Sequence, residues 1–225
     1  MRLPEGVALA DLERLQDAIR EEFPGKKGRH AVDARIAVGT QMETSTRAQQ
    51  VGYAFKSVDE KRILQAQLGG FTLSRLAPYD GWAPFRDDAQ RLWNVYRDGV
   101  RPEEITRLAV RYINRIDIPL PFTELKDYLR TVPEVSPDLP QTLSGLFMQL
   151  SIPQEDISST AILTEAQVDP ARPGVASIIL DTDLFRASEL PQGDDSIWNV
   201  FEVLHDRKNE IFEACITDST RSLFR

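Results

Sequence analysis

The chain has 225 residues, one cysteine, 41% hydrophobic and 28% charged residues, and a net charge of −8. It is long enough for one large core or two small ones, and it holds no run of about eighteen apolar residues that could span a membrane. Cys215 alone excludes an internal disulfide and fits a reducing, cytoplasmic setting, and MRLPEGVALADLERLQ lacks the apolar stretch of a secretory signal.

The charge is uneven. Residues 1–116 carry 19 Lys/Arg against 16 Asp/Glu, a net of +3, and residues 117–225 carry 8 against 19, a net of −11. The acidic half argues against non-specific nucleic-acid binding, which needs basic side chains to neutralise phosphate. It permits a basic protein partner, or docking of the two halves on each other.

Val7, Leu12, Leu15, Ile19 and Phe23 recur at helical spacing and predict a helix over 8–23, ended by Pro24-Gly25. Three strand-like segments follow. In HAVDARIAV, Val32, Ala34, Ile36 and Val38 share one face and Asp33 and Arg35 the other. VGYAFKSV is the second, and Val58 to Lys61 reads as a hairpin turn. The third, RILQAQLGGFTLSRLA, contains Gly69-Gly70, which reads as a bulge or bend. A helix over 83–98 comes next, with Pro84 in its first turn and Phe85, Ala89, Leu92, Trp93 and Tyr96 on its apolar face. Gly99 is placed to end it, with Pro102 following.

TRLAVRYINRIDIP sets Arg107, Arg111 and Arg115 at intervals of four. Its β-branched and aromatic residues, with Asn114 and Pro119, predict a strand over 105–117 rather than a helix. Leu108, Val110, Tyr112 and Ile116 then face one way; Arg107, Ala109, Arg111 and Arg115 face the other. Successive arginines would stand roughly 13 Å apart, too far for one small ligand to touch all three. A short helix over 122–130 and a proline-rich connector through Pro140 lead to three more strands, LFMQLSIPQ, ISSTAILTEAQV and VASIILDTDLFRA, with Asp169 to Gly174 as a turn. The last element is a helix over 196–216, capped by Asp194, Asp195 or Ser196. Ile197, Phe201, Leu204, Lys208, Ile211, Phe212 and Cys215 lie near one side of it, with the Lys208 stem able to snorkel.

Side by side, the halves suggest an internal duplication of (β)-α-β-β-β-α units, residues 1–103 and 104–225, the first lacking its leading strand. The expected architecture is α+β, with antiparallel-rich sheets carrying helices on one face, the repeats forming one compact body. The unpaired edge left by the missing strand makes a homodimer plausible.

FTLSRLAPYDGWAPFRDDAQRLWNVYRDGVRPEEITRLAVRYINRIDIP resembles the centre of a sporadically distributed bacterial protein family. The resemblance rests on a strand ending in Ser74-Arg75, the Trp82 to Phe85 start of a helix, RLAVRYINRI and the earlier EEFP, in the same helix–strand order over most of the chain. It implies a strand ahead of the first helix, which this sequence lacks. It brings no activity, cofactor or catalytic residue. The scattered distribution implies accessory genes, such as defence or toxin–antitoxin loci.

The chemistry-bearing residues are sparse. His30 and His205 are the only histidines, and with Cys215 they make no zinc pattern. Phosphate-binding loops, dinucleotide glycine fingerprints and nucleophile elbows are absent from the sequence. His205 reads as a boundary residue rather than a general base. In DTDLF, Asp181 and Asp183 project from one strand face and could hold a divalent metal, with Glu155, Asp156, Asp194 and Asp195 as further carboxylates. They could equally be a solvated strand face, or pair across strands with Arg107, Arg111 and Arg115. No catalytic residue and no cofactor is assigned. The leading expectation is a protein-interaction or regulatory module. The alternatives are a metal-dependent enzyme using Asp181 and Asp183, or a nucleic-acid binder using the arginine stripe.

Overall fold

The computed structural model of the chain describes residues 6–38, 42–141 and 143–224. The fold is α+β with two four-stranded antiparallel sheets, and the chain divides into two compact units, Met1–Ile105 and Thr106–Arg225.

In the first unit, α1 (Leu9–Ile19) buries Leu12, Leu15 and Ile19. The helix stops short of Phe23 because the Gln16 amide donates to the carbonyls of Phe23 and Pro24, giving the departing chain its hydrogen bonds. Phe23 is still fully buried. β1 (Gly25–Val38) and β2 (Met42–Lys56) form a long hairpin, and β3 (Arg62–Gln67) pairs only with Gly52–Lys56 of β2. β4 (Gly70–Arg75) completes the order β1-β2-β3-β4. The face expected for Val32, Ala34, Ile36 and Val38 concerns side chains outside the described residues.

The glycine pair is not a bulge. Leu68 and Gly69 form a tight turn, so the segment expected as one strand is two, β3 and β4, paired residue for residue. Folding back satisfies backbone groups that a single strand at the sheet edge would leave to water. The register irregularity lies instead between Arg29 and His30, next to Gly52, where a Cβ would come within 2.2 Å of the Ala66 carbonyl oxygen on β3.

α2 (Trp82–Val100) buries Leu92, Trp93, Tyr96 and Val100. The Tyr96 hydroxyl donates to the Gln67 carbonyl at 2.8 Å, and Phe71 of β4 stands 5.7 Å from the Trp93 ring and 5.6 Å from Tyr96. Gly99 does not end the helix: Arg101 takes the left-handed cap at φ 48°. Gly99 is instead where α2 meets α1, since a Cβ there would lie 2.3 Å from the Leu15 methyl.

In the second unit β5 (Leu108–Pro119), β6 (Phe147–Gln154), β7 (Ser159–Val168) and β8 (Val175–Arg186) take the order β5-β8-β7-β6. α3 (Asp194–Cys215) packs on β5 and β8, and α4 (Asp218–Ser222) follows it. The expected helix over 122–130 is a single 3-10 turn, Leu125–Asp127. The reason is competition for the backbone. Leu129 bridges Ile216, the Arg130 N–H donates to Cys215, and the Tyr128 carbonyl accepts from Thr217. Those groups are spent on the chain's last residues and are lost to a helical ladder. Phe122, Leu125 and Tyr128 pack against a core of Ile116, Ile118, Leu163, Ile178 and Leu180. The N-cap of α3 is Gly193, one residue before the expected acidic cap, and its carbonyl accepts from Ile197.

Each unit contains an antiparallel meander running into a helix. They differ in that β5 lies beside β8, whereas the four strands of the first sheet are consecutive; the common order alone does not establish a duplication.

Substituting Gly99→Val is expected to lower stability by roughly 1–3 kcal/mol by forcing α1 off α2. Gly99→Ala should cost less, because alanine recovers about 1 kcal/mol of helix propensity. Denaturant unfolding of the full chain followed by tryptophan fluorescence measures both.

Candidate functional site

β5 and β8 run side by side through twelve paired residues, Leu108 opposite Arg186 and Pro119 opposite Val175. On β5, Leu108, Val110, Ile116 and Ile118 are buried while Arg111, Ile113 and Arg115 are exposed. β8 alternates in step: Ile178, Leu180, Thr182 and Leu184 face the core, and Asp181 and Asp183 share the other face with the arginines. The same-face placement of Asp181 and Asp183, and of the three arginines, therefore follows from period-two geometry.

The register sets Arg111 opposite Asp183 and Arg115 opposite Ile179, but each guanidinium leans toward the N-terminal end of β8. Arg111 Nε lies 2.9 and 3.1 Å from the two oxygens of Asp181, and its Nη2 lies 2.5 Å from Oδ2. Arg107 Nη2 donates to both oxygens of Asp183 at 2.8 and 3.1 Å, with its guanidinium 4.4 Å above the Phe185 ring. Arg115 donates to the Ser177 hydroxyl at 2.9 Å, the Asp169 carbonyl at 2.6 Å and Asp117 at 3.1 Å. Strand twist brings such diagonal pairs within reach of long side chains.

The electrostatics follow from these contacts. Hydrogen bonding to Asp181 raises the Arg111 pKa further, against the opposing effect of burial. The Asp117 carboxyl sits below its usual range, chiefly because the Ser177 hydroxyl donates to it and secondarily because of Arg115. The arginine stripe and the acidic strand thus lie side by side in one sheet: Arg107 and Arg111 are neutralised by Asp183 and Asp181, and Arg115 by Asp117 of its own strand. A metal at Asp181 and Asp183 would have to displace both guanidinium groups. Asp156 is engaged elsewhere, by Arg207, and the Asp194 side chain lies outside the described residues. Among the described residues no group of three or more His, Cys, Asp or Glu is placed to hold a metal ion.

Around this ladder the sheet face is apolar at its margins: Ile113 on β5 is 61% exposed and Phe147 on β6 is 74% exposed. At one end a shallow concavity of about 360 Å³ is lined by Glu155, Ser158, Ser159, Thr160, Phe185 and Ala187. It offers hydroxyls and one carboxylate but no nucleophile–base pair.

On the helix side, His205 is largely buried, with its ring centroid 6.4 Å from that of Tyr112. Burial, aided by Lys208, lowers its pKa. Lys208 does not snorkel: it is 7% exposed and its Nζ lies 3.4 Å from the Tyr112 ring centroid. Two buried groups escaped the sequence reading. Glu165 of β7 is fully buried with neither oxygen hydrogen-bonded, and the Thr182 hydroxyl of β8 is likewise unpaired. The available signal was their position, since each falls on the apolar phase of its strand.

No family model, curated protein or solved structure matches this chain.

The two ion pairs differ in burial. The Asp181 side chain is 11% exposed against 27% for Asp183. A double-mutant cycle of Arg111→Ala with Asp181→Ala is expected to give a coupling of about 1–2 kcal/mol, reduced by the exposure of Arg111, and the Arg107–Asp183 cycle less than about 1 kcal/mol. Urea unfolding of the single and double variants measures both.

Proposed function

We propose that the chain is a cytoplasmic protein-interaction or regulatory module that binds a partner protein across the ladder face of its second sheet. The observation that carries this reading is the pairing of a neutralised Arg–Asp ladder with exposed Ile113 and Phe147 on one sheet face. Aromatic and arginine side chains are the usual anchors of protein interfaces, and a face whose charges are already paired can be covered without leaving a charge unpartnered. The same pairing leaves little positive charge for a phosphate backbone, so the ladder favours protein over nucleic acid. The acidic balance of the second half favours a partner with a basic rim.

Native mass spectrometry of the tagged protein, isolated gently from its host, is expected to show a second protein at fixed stoichiometry. Replacing Ile113 and Phe147 together by threonine, which adds no charge opposite Asp181, should remove that protein while leaving the unfolding free energy within about 1 kcal/mol of the parent. A bare chain, or a complex indifferent to the double substitution, would refute the reading.

A further inference from the structure

Between the second sheet and α3 lie two buried ionisable groups with no charged partner among the described residues. Glu165 projects from β7 between Leu163 and Gln167, opposite Leu180 on β8 and Met148 on β6. It lies close enough to Cys215, the last residue of α3, to help burial raise that thiol to about 11. The thiol itself bonds to Thr131. Among the described residues no cation is bonded to the carboxyl, and burial pushes it up to about 7. Lys208 lies two turns earlier on α3, against the Tyr112 ring of β5, beside His205 and bonded to Asn209. Burial alone brings it down to about 8, so the two groups do not neutralise each other.

Above Glu165, the chain end is tied down by a few polar bonds. Arg130 N–H donates to the Cys215 carbonyl at 2.8 Å and Thr217 N–H to the Tyr128 carbonyl at 3.0 Å. The Thr217 and Thr220 hydroxyls donate to the carbonyls of Asp127 and Tyr128, both at 2.6 Å. Glu165 stands near the margin of the core, since Gln167 two residues along the same face is exposed, and movement of the chain end at Cys215 would open the carboxyl to water. We propose that the contact between the sheet and the carboxy-terminal end of α3 is a proton-controlled latch, in which ionisation of Glu165 lets that end lift.

The sign follows from linkage. The native carboxyl keeps its proton after the unfolded chain has lost its own near 4.5, so its contribution is full below that pH and is lost as pH rises toward about 7. Lys208 acts in the opposite sense: its burial penalty is present below about 8 and is relieved as pH rises toward 10.5. The contact is therefore weakest between the two.

Hydrogen exchange of the full chain, corrected for intrinsic rates, tests the latch at pH values of about 5 and about 8. The amides of Ile211–Cys215 should be at least roughly tenfold less protected at the higher pH, the equivalent of one unit of pKa shift, while those of α2 keep their relative protection. Glu165→Gln should erase the difference, Glu165→Leu should do the same if glutamine is poorly accommodated, and Lys208→Met should leave it in place. A pH response that persists in both Glu165 variants, or spreads equally over the first unit, overturns the proposal.

Discussion

The second unit depends on the two-faced character of β8. This central strand pairs with β5 on one side and β7 on the other. It must send Ile178, Leu180 and Leu184 into the core while sending Asp181 and Asp183 to the arginines. A slip of one residue would bury both aspartates and expose all three aliphatic side chains, so the ion pairs and the core enforce the same register. The ladder adds little net stability, because its members are partly solvated. Its value is specificity, since each wrong alignment leaves a charge without a partner.

Polar groups on the wrong side of that division mark where the unit departs from a purely apolar core. An unsatisfied buried polar group costs roughly 1–3 kcal/mol. Glu165 and Thr182 each incur such a cost with no hydrogen bond among the described residues to offset it, and Lys208 is met by the Tyr112 ring and Asn209. All three lie on the side that α3 covers. The first unit handles charge differently. Arg62 lies between Glu22 and Asp88, Arg91 reaches the same two carboxylates, and the Arg62 guanidinium rests 5.0 Å from the Phe23 ring. Its partly buried charges are mutually paired.

Much of this organisation was legible in the sequence, because alternation and helical spacing are local signals. The β5 faces, the Val58–Lys61 turn and the long helices α2 and α3 follow from their own residues. The failures come from non-local competition. Residues 122–130 carry a plausible helical pattern, yet their backbone is claimed by Cys215 and Thr217 from the far end of the unit. Gly99 looks like a helix end, but its role is set by Leu15 on another helix. For the ladder, spacing could place three arginines on one face and two aspartates on another. Only the pairing of β5 with β8, a fact about strands separated by two others in sequence, makes those faces the same surface. Glu165 was overlooked for the opposite reason: a carboxylate on an apolar phase contradicts the pattern that identifies the strand.

β6 is an outer strand of the second sheet and carries Pro153 within its pairing to Thr160. Proline has no backbone donor, so this margin cannot present an unbroken row of amides to an incoming chain. Lengthening the sheet by adding a strand there is handicapped, which guards against the open-ended stacking that exposed edges invite. Growth by recruitment at that side is thereby discouraged.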